Sequence, residues 1–155
     1  MVPLRKTVTI DAPPDRVFRF VNSPVNISRY CANMVSVAEI QEFPGCKTRF
    51  LWIYKLMGAR FHGVAQTTHC QYGRFIEMET RGGIRSKIVW WFYPHGEAGQ
   101  QTSLVFEMDY VVPKPLLGRF TSTAIRYQND QDVDDMLERL AIVLEGREEA
   151  VTVPQ

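Results

Sequence analysis

Ile88-Val89-Trp90-Trp91-Phe92-Tyr93-Pro94, a turn across residues 95–101, and Thr102-Ser103-Leu104-Val105-Phe106-Glu107-Met108-Asp109-Tyr110 form the stretch whose reading decides the fold. In the second arm Leu104, Phe106, Met108 and Tyr110 alternate with Val105, Glu107 and Asp109, the period-two pattern of a strand with one buried and one wet face. Trp90 and Phe92 extend that buried face into the first arm. A surface of Trp, Phe, Met and Tyr either packs solid or stays partly open for an apolar ligand.

Upstream of this hairpin the pattern is also sheet. Residues 34–42, 47–57, 60–72, 74–81, 84–93 and 102–112 are six strand candidates, separated by Pro44-Gly45, Gly58-Ala59, Gly73, Gly82-Gly83 and the loop from Gly96 to Gly99. Short connections make them antiparallel neighbours. Phe50, Trp52, Tyr54 and Leu56 share one face, and Ile76 and Met78 oppose Glu77, Glu79 and Arg81, so the inner face is aromatic and sulfur-rich. Glu77, Glu79, Lys87, Glu107 and Asp109 read as solvated cross-strand partners on the outer face. Val89, Trp91 and Tyr93 also point outward, near Val105, Leu51 and Ile53, which makes a homodimer a candidate assembly.

Before the sheet, residues 6–10 read as a first strand. Pro14-Asp15 suits a helix start, followed by Val17, Phe18 and Val21 at helical spacing, and Ser23-Pro24 starts a second short helix over residues 24–30. After the sheet, Pro113-Lys114-Pro115 stops the last strand and Leu116 to Glu145 reads as one long helix closed by Gly146. Its sheet-facing stripe is Val133, Met136, Leu137, Leu140, Val143 and Leu144, and it projects back through Asn129, Arg126, Ile125, Ser122 and Gly118. The stripe is bulky at one end and small or polar at the other. A straight helix therefore leaves a cavity over the aromatic sheet; a kink near residues 128–132 would instead turn Leu117, Phe120, Ala124 and Tyr127 onto the core. An empty apolar cavity of ~300 Å³ would forgo roughly 7 kcal/mol, a cost more readily explained by binding than by accident.

The 155 residues read as a single domain, 1–155, with a core over about 5–146 and a flexible tail at 147–155. A net charge of +1 gives no footprint for nucleic acid or an anionic membrane surface. No apolar run is long enough for stable membrane insertion, and the first residues lack the apolar stretch of a signal peptide. Three cysteines, Cys31, Cys46 and Cys70, with no CxxC pair, point away from a disulfide framework or a zinc site and toward reduced structural thiols in a cytoplasmic protein. No cofactor or metal motif is present, so none is expected.

This order of elements resembles the helix-grip fold of the START-like (SRPBCC) superfamily, which includes birch-pollen-allergen-like proteins and the polyketide cyclase/dehydrase families. Ile10-Asp11-Ala12-Pro13-Pro14-Asp15-Arg16-Val17-Phe18 looks like the family's first strand-to-helix junction. Trp90, Phe92 and Pro94 look like its W-x-F-x-P strand, with Thr102 to Phe106 as the next strand. Leu137 to Leu140 and Leu144-Glu145 look like the end of its long helix. The resemblance implies an α+β fold with a curved antiparallel sheet of about seven strands wrapped on the C-terminal helix. It also implies a hydrophobic cavity between the two, used for lipids, sterols, polyketides or quinones and, in a minority of members, for cyclisation or dehydration.

The expected cavity wall is Trp52, Tyr54, Met78, Trp90, Phe92, Phe106, Met108 and Ile125, with Tyr110, Ser122, Arg126 and Asn129 as polar contacts that could orient a ligand. For proton transfer the candidates are His69, Tyr110 and Arg126. Alternation through Phe61, Gly63, Ala65 and Thr67 puts His69 inside, His62 outside and Cys70 facing away from His69. Asp130, Asp132, Asp134 and Asp135 read as a solvated helix face. Three functions stay open: binding or carriage of a small hydrophobic molecule, a cyclase/dehydrase-type enzyme, and a dimeric interaction module with a solid core.

Overall fold

The computed structural model describes residues 2–147. Its elements follow in the order β1 (Val2–Ile10), α1 (Pro14–Val21), a 3-10 turn (Pro24–Asn26), α2 (Ile27–Tyr30), β2 (Met34–Phe43), β3 (Lys47–Leu56), β4 (Ala59–Gln71), β5 (Phe75–Gly82), β6 (Ser86–His95), β7 (Gln101–Tyr110), α3 (Lys114–Leu117) and α4 (Ser122–Leu144). The strands form one seven-stranded antiparallel sheet in the order β1-β7-β6-β5-β4-β3-β2. The six-strand meander is therefore closed on one side by the N-terminal strand, which pairs with β7 along its whole length. The hairpin of β6 and β7 pairs Trp90 with Phe106 and Ile88 with Met108, as its alternation requires. The expected flexible tail lies, from residue 148, outside the described residues.

Two buried clusters hold the helices to the sheet. The larger joins Ile10, Phe18, Phe92, Leu104 and Phe106 to Val133, Leu137, Leu140 and Leu144 of α4. The smaller joins Phe50, Leu56, Phe61 and Ile84 to Leu116 and Ile125. Phe18 of α1 packs edge-on against Phe92 at 5.1 Å between ring centroids, which docks the short helix on the sheet. Lys6 on β1 ties α4 down through Asp130 (2.7 Å) and Asp134 (3.2 Å).

The C-terminal helix is shorter than its pattern implies. Instead of running from Leu116, the chain makes one turn, breaks, and restarts at Ser122 behind an extended Thr121 whose Oγ1 accepts from the Ala124 backbone N–H at 3.1 Å. The two backbone N–H groups at Arg119 and Phe120 return to Leu116 O, closing the first turn on itself. Removing the cap by Thr121→Ala should lower stability by ~1 kcal/mol in a urea melt; an unchanged midpoint would show that the cap is redundant. From Ser122 to Leu144 the helix is unbroken, and Leu117 (49% exposed) and Tyr127 (66%) stay off the core, so the kinked alternative is not adopted.

Two further expectations change. A β-bulge between Thr67 and His69 inserts an extra residue opposite β5, so Thr67 pairs with Met78 but His69 with Glu77 and Cys70 with Ile76. The bulge reverses the alternation: His69 lies outside, its side chain 73% exposed, and Cys70 turns inward. Second, Cys46 and Cys70 form a disulfide that links the β2–β3 turn to β4, leaving Cys31 as a buried free thiol. The expectation of three reduced thiols is thus corrected. On the outer face Trp91 is flanked by Phe75 and Tyr93 and donates its Nε1–H to Glu107, and Val105 is buried, so the exposed apolar surface there shrinks to Tyr93 and Leu51.

The bulge also builds a charged cluster. Glu77 accepts from Thr68 Oγ1 at 2.7 Å, meets His69 Nδ1 at 2.6 Å and pairs with Lys87 at 3.3 Å. Thr68's hydrogen bond first, then His69 and Lys87, hold its carboxyl below the usual 4.5 against opposing desolvation. A depressed carboxyl pKa contributes stability that is present above the unfolded value and lost as pH falls through the folded one. Glu77→Gln should therefore narrow the loss of thermal midpoint between roughly pH 7 and pH 3; an identical acid slope in the variant would remove Glu77 from the pH response.

Candidate functional site

Between the two buried clusters the packing is incomplete. A space of about 160 Å³ lies under the middle of α4, walled by side chains from both. The sheet floor follows the alternation strand by strand: Thr48, Phe50, Trp52 and Tyr54 from β3; Ala65 from β4; Ile76, Met78 and Thr80 from β5; Ser86, Ile88 and Trp90 from β6; Phe106 and Met108 from β7. The roof is Asn129, Asp132, Val133 and Met136, which occupy one face of α4 at helical spacing. Val21, Asn22, Pro24, Ile27, Tyr30, Cys31 and Met34 close the side.

Trp52 can lie flat against β4 because its partner there is Gly63. A Cβ at position 63 would sit 1.9 Å from the Arg81 carbonyl oxygen and 2.6 Å from Trp52 Cζ2. That glycine in mid-strand is the sequence signal that a bulky neighbour crosses the ladder.

Of the expected contacts, Trp52, Tyr54, Met78, Trp90, Phe106, Met108 and Asn129 line the space. Phe92, Tyr110 and Ile125 are buried but belong to solid parts of the core. Ser122 and Arg126 are exposed near the start of α4, where Ile125 is the residue turned into the smaller cluster. The three proton-transfer candidates therefore do not converge on the cavity: His69 and Arg126 face solvent, and Tyr110, although within electrostatic reach of Arg126, is enclosed outside the cavity wall. Tyr110's hydroxyl and Trp52's Nε1 are buried without a hydrogen-bond partner, each such group costing ~1–3 kcal/mol.

Asp132 is the residue the acidic run concealed. Its neighbours Asp130 and Asp134 bind Lys6, whereas Asp132 turns to the cavity rim and accepts from Asn33 Nδ2 (2.8 Å) and Gln128 Nε2 (2.9 Å). Burial raises its carboxyl pKa, opposed by those two hydrogen bonds. Burial also raises the Tyr30 and Tyr54 phenols and pushes the Cys31 thiol up to about 11, so at neutral pH all three are uncharged. An outer groove lined by Asn33, Asp135, Glu138 and Arg139 shares Tyr30, Cys31, Tyr54, Asp132 and Met136 with the cavity, which marks those five as the boundary between inner space and solvent. Among the described residues no group of His, Cys, Asp and Glu is arranged to hold a metal ion, and no helix is long and apolar enough to cross a membrane.

A curved antiparallel sheet gripping a long C-terminal helix around an apolar cavity defines a helix-grip protein. The chain belongs to the family described as polyketide cyclase / dehydrase and lipid transport, whose model matches residues 1–145. Solved structures agree on the fold. The Thermus thermophilus protein TTHA0849 superposes with a TM-score of 0.78 at 22% identity, covering 97% of this chain and 99% of that one. The Zhui aromatase/cyclase from Streptomyces sp. R1128 gives 0.72 at 17%, covering 98% and 96%. A START superfamily protein from Mycobacterium smegmatis gives 0.67 at 16%, covering 97% and 99%. No curated protein matches the sequence.

Proposed function

We propose that the chain binds and carries a small apolar molecule in the space between α4 and the sheet. The observation that carries this reading is an apolar cavity of about 160 Å³ at the seam of two otherwise well-packed clusters. At ~24 cal/mol per Å³, an empty space of that size forgoes ~4 kcal/mol, a large fraction of a domain's stability. An engineered apolar cavity of ~150 Å³ accepts benzene, so a molecule of one or two rings suits a space of this size better than a sterol. The family description, with cyclase, dehydrase and lipid transport in one phrase, is consistent with carriage and with catalysis.

Carriage is supported over catalysis by the chemistry of the wall. Lys, Arg and His are missing from it, its thiol and phenols are held neutral, and His69, Tyr110 and Arg126 stand outside it. An enzymatic reading would fall to Asp132 as the proton-transfer group. Native mass spectrometry of the purified chain, followed by organic extraction, tests the proposal. A stoichiometric apolar compound, or a thermal midpoint raised by saturating toluene, supports it; a bare protein mass together with no toluene response would contradict it.

A further inference from the structure

Among the described residues, some polar groups of the cavity wall make no hydrogen bond. Asn129 is 4% exposed and lines the space, yet its carboxamide makes no hydrogen bond to another described residue. Trp52, across the cavity on β3, has a buried Nε1–H without a partner. Most of their polar neighbours are satisfied: Thr80 by Ser86 and the Ile84 carbonyl, Thr48 by Thr67, Asn22 by the Cys46 carbonyl, and Asp132 by Asn33 and Gln128. An unpaired amide and an unpaired indole in a mainly apolar wall are groups that a bound molecule can satisfy.

Charge narrows the choice further. The wall holds no cation, and its one carboxylate is Asp132 at the rim. An anion entering here would lose its hydration with no positive partner and would pass a carboxylate on the way. We infer that the cavity selects an uncharged molecule of one or two rings bearing a hydrogen-bond-accepting oxygen, of the ketone or ether class, bonded by Asn129 and Trp52, and that it rejects carboxylates. This specificity rests on the binding role proposed above.

Three molecules of nearly one shape separate the two ideas: cumene, acetophenone and benzoate, titrated calorimetrically into the full chain near neutral pH. Acetophenone should bind at least about a hundredfold more tightly than benzoate. Asn129→Leu should weaken acetophenone about tenfold more than it weakens cumene, and Trp52→Phe about threefold more. The ratio between ligands is read on one protein, so a variant that misfolds is recognised by losing cumene too, and the other variant then decides. Benzoate binding as tightly as acetophenone, or equal effects of the substitutions on acetophenone and cumene, would overturn the inference while leaving the cavity as a binding site. If none of the three binds the wild-type chain, the binding role falls with it.

Discussion

Reducing the Cys46–Cys70 disulfide is expected to lower stability by ~3 kcal/mol, because the crosslink closes a loop with a sequence separation of 24 residues and removes that freedom from the unfolded chain. Urea unfolding with and without a thiol reductant, and of the Cys46→Ser/Cys70→Ser variant, should agree. The loop contains all of β3 and nearly all of β4, which remain paired after reduction, so the native sheet should survive and the loss should appear in the midpoint. Equal midpoints in oxidised and reduced protein would mean that the two thiols are not joined in solution. The crosslink also bears on the cavity. Cys46 offers its carbonyl to Asn22, a wall residue, and stands two positions before Thr48, another. A disulfide at this point also sits uneasily with the reducing cytoplasm expected from cysteine spacing alone.

The second large effect concerns the cavity itself. Ala65 on β4 is 2% exposed and lines the space with no bulky side chain of its own, so Ala65→Leu should fill part of the volume. Affinity for a one-ring hydrocarbon such as cumene should fall at least about tenfold, a loss of ~1.4 kcal/mol. Stability should hold or rise, because filling a void recovers packing that the wild type forgoes. Unchanged cumene affinity in a folded Ala65→Leu protein would place the binding site elsewhere. Filling from position 122 would not serve, since Ser122 is exposed.

Most of the fold was legible because alternation in β3, β5, β6 and β7 is uninterrupted. Where Trp52 and Tyr54, or Phe106 and Met108, share a face in the sequence pattern, they share one in the sheet, and the floor of the cavity could be written down from spacing. Legibility failed where a local irregularity breaks the period. One extra residue at Thr68 put His69 in solvent and Cys70 inside, and with Cys70 inward the partner at Cys46, in the turn that leads into the neighbouring β3, came within reach. A pairing that depends on a bulge cannot be inferred from unbroken alternation. The start of α4 was misplaced because apolar residues at Leu116 and Phe120 continue the helical spacing, whereas the signal that decides the boundary is the capping Thr121.

The rest of the site was hidden for a different reason. Val21, Pro24, Ile27 and Tyr30 close the cavity's side from a segment whose own pattern says only that two short helices occur; which opening they cover is set by tertiary packing. Asp132 was lost in a run of acids whose other members pair with Lys6 or face solvent. Its distinction is one of phase on the helix: it lies three residues after Asn129 and one before Val133, on the face that roofs the cavity.

The most direct test of the central claim is a crystal of the protein soaked in bromobenzene, with the bromine located by anomalous scattering. A single bromine site enclosed by Trp90, Phe106, Val133 and Met136 is the expected result, with the surrounding backbone unmoved. Bromine only at the protein surface, with Trp52, Met78 and Met136 collapsed into the space, would show a solid core and contradict the cavity as a binding site.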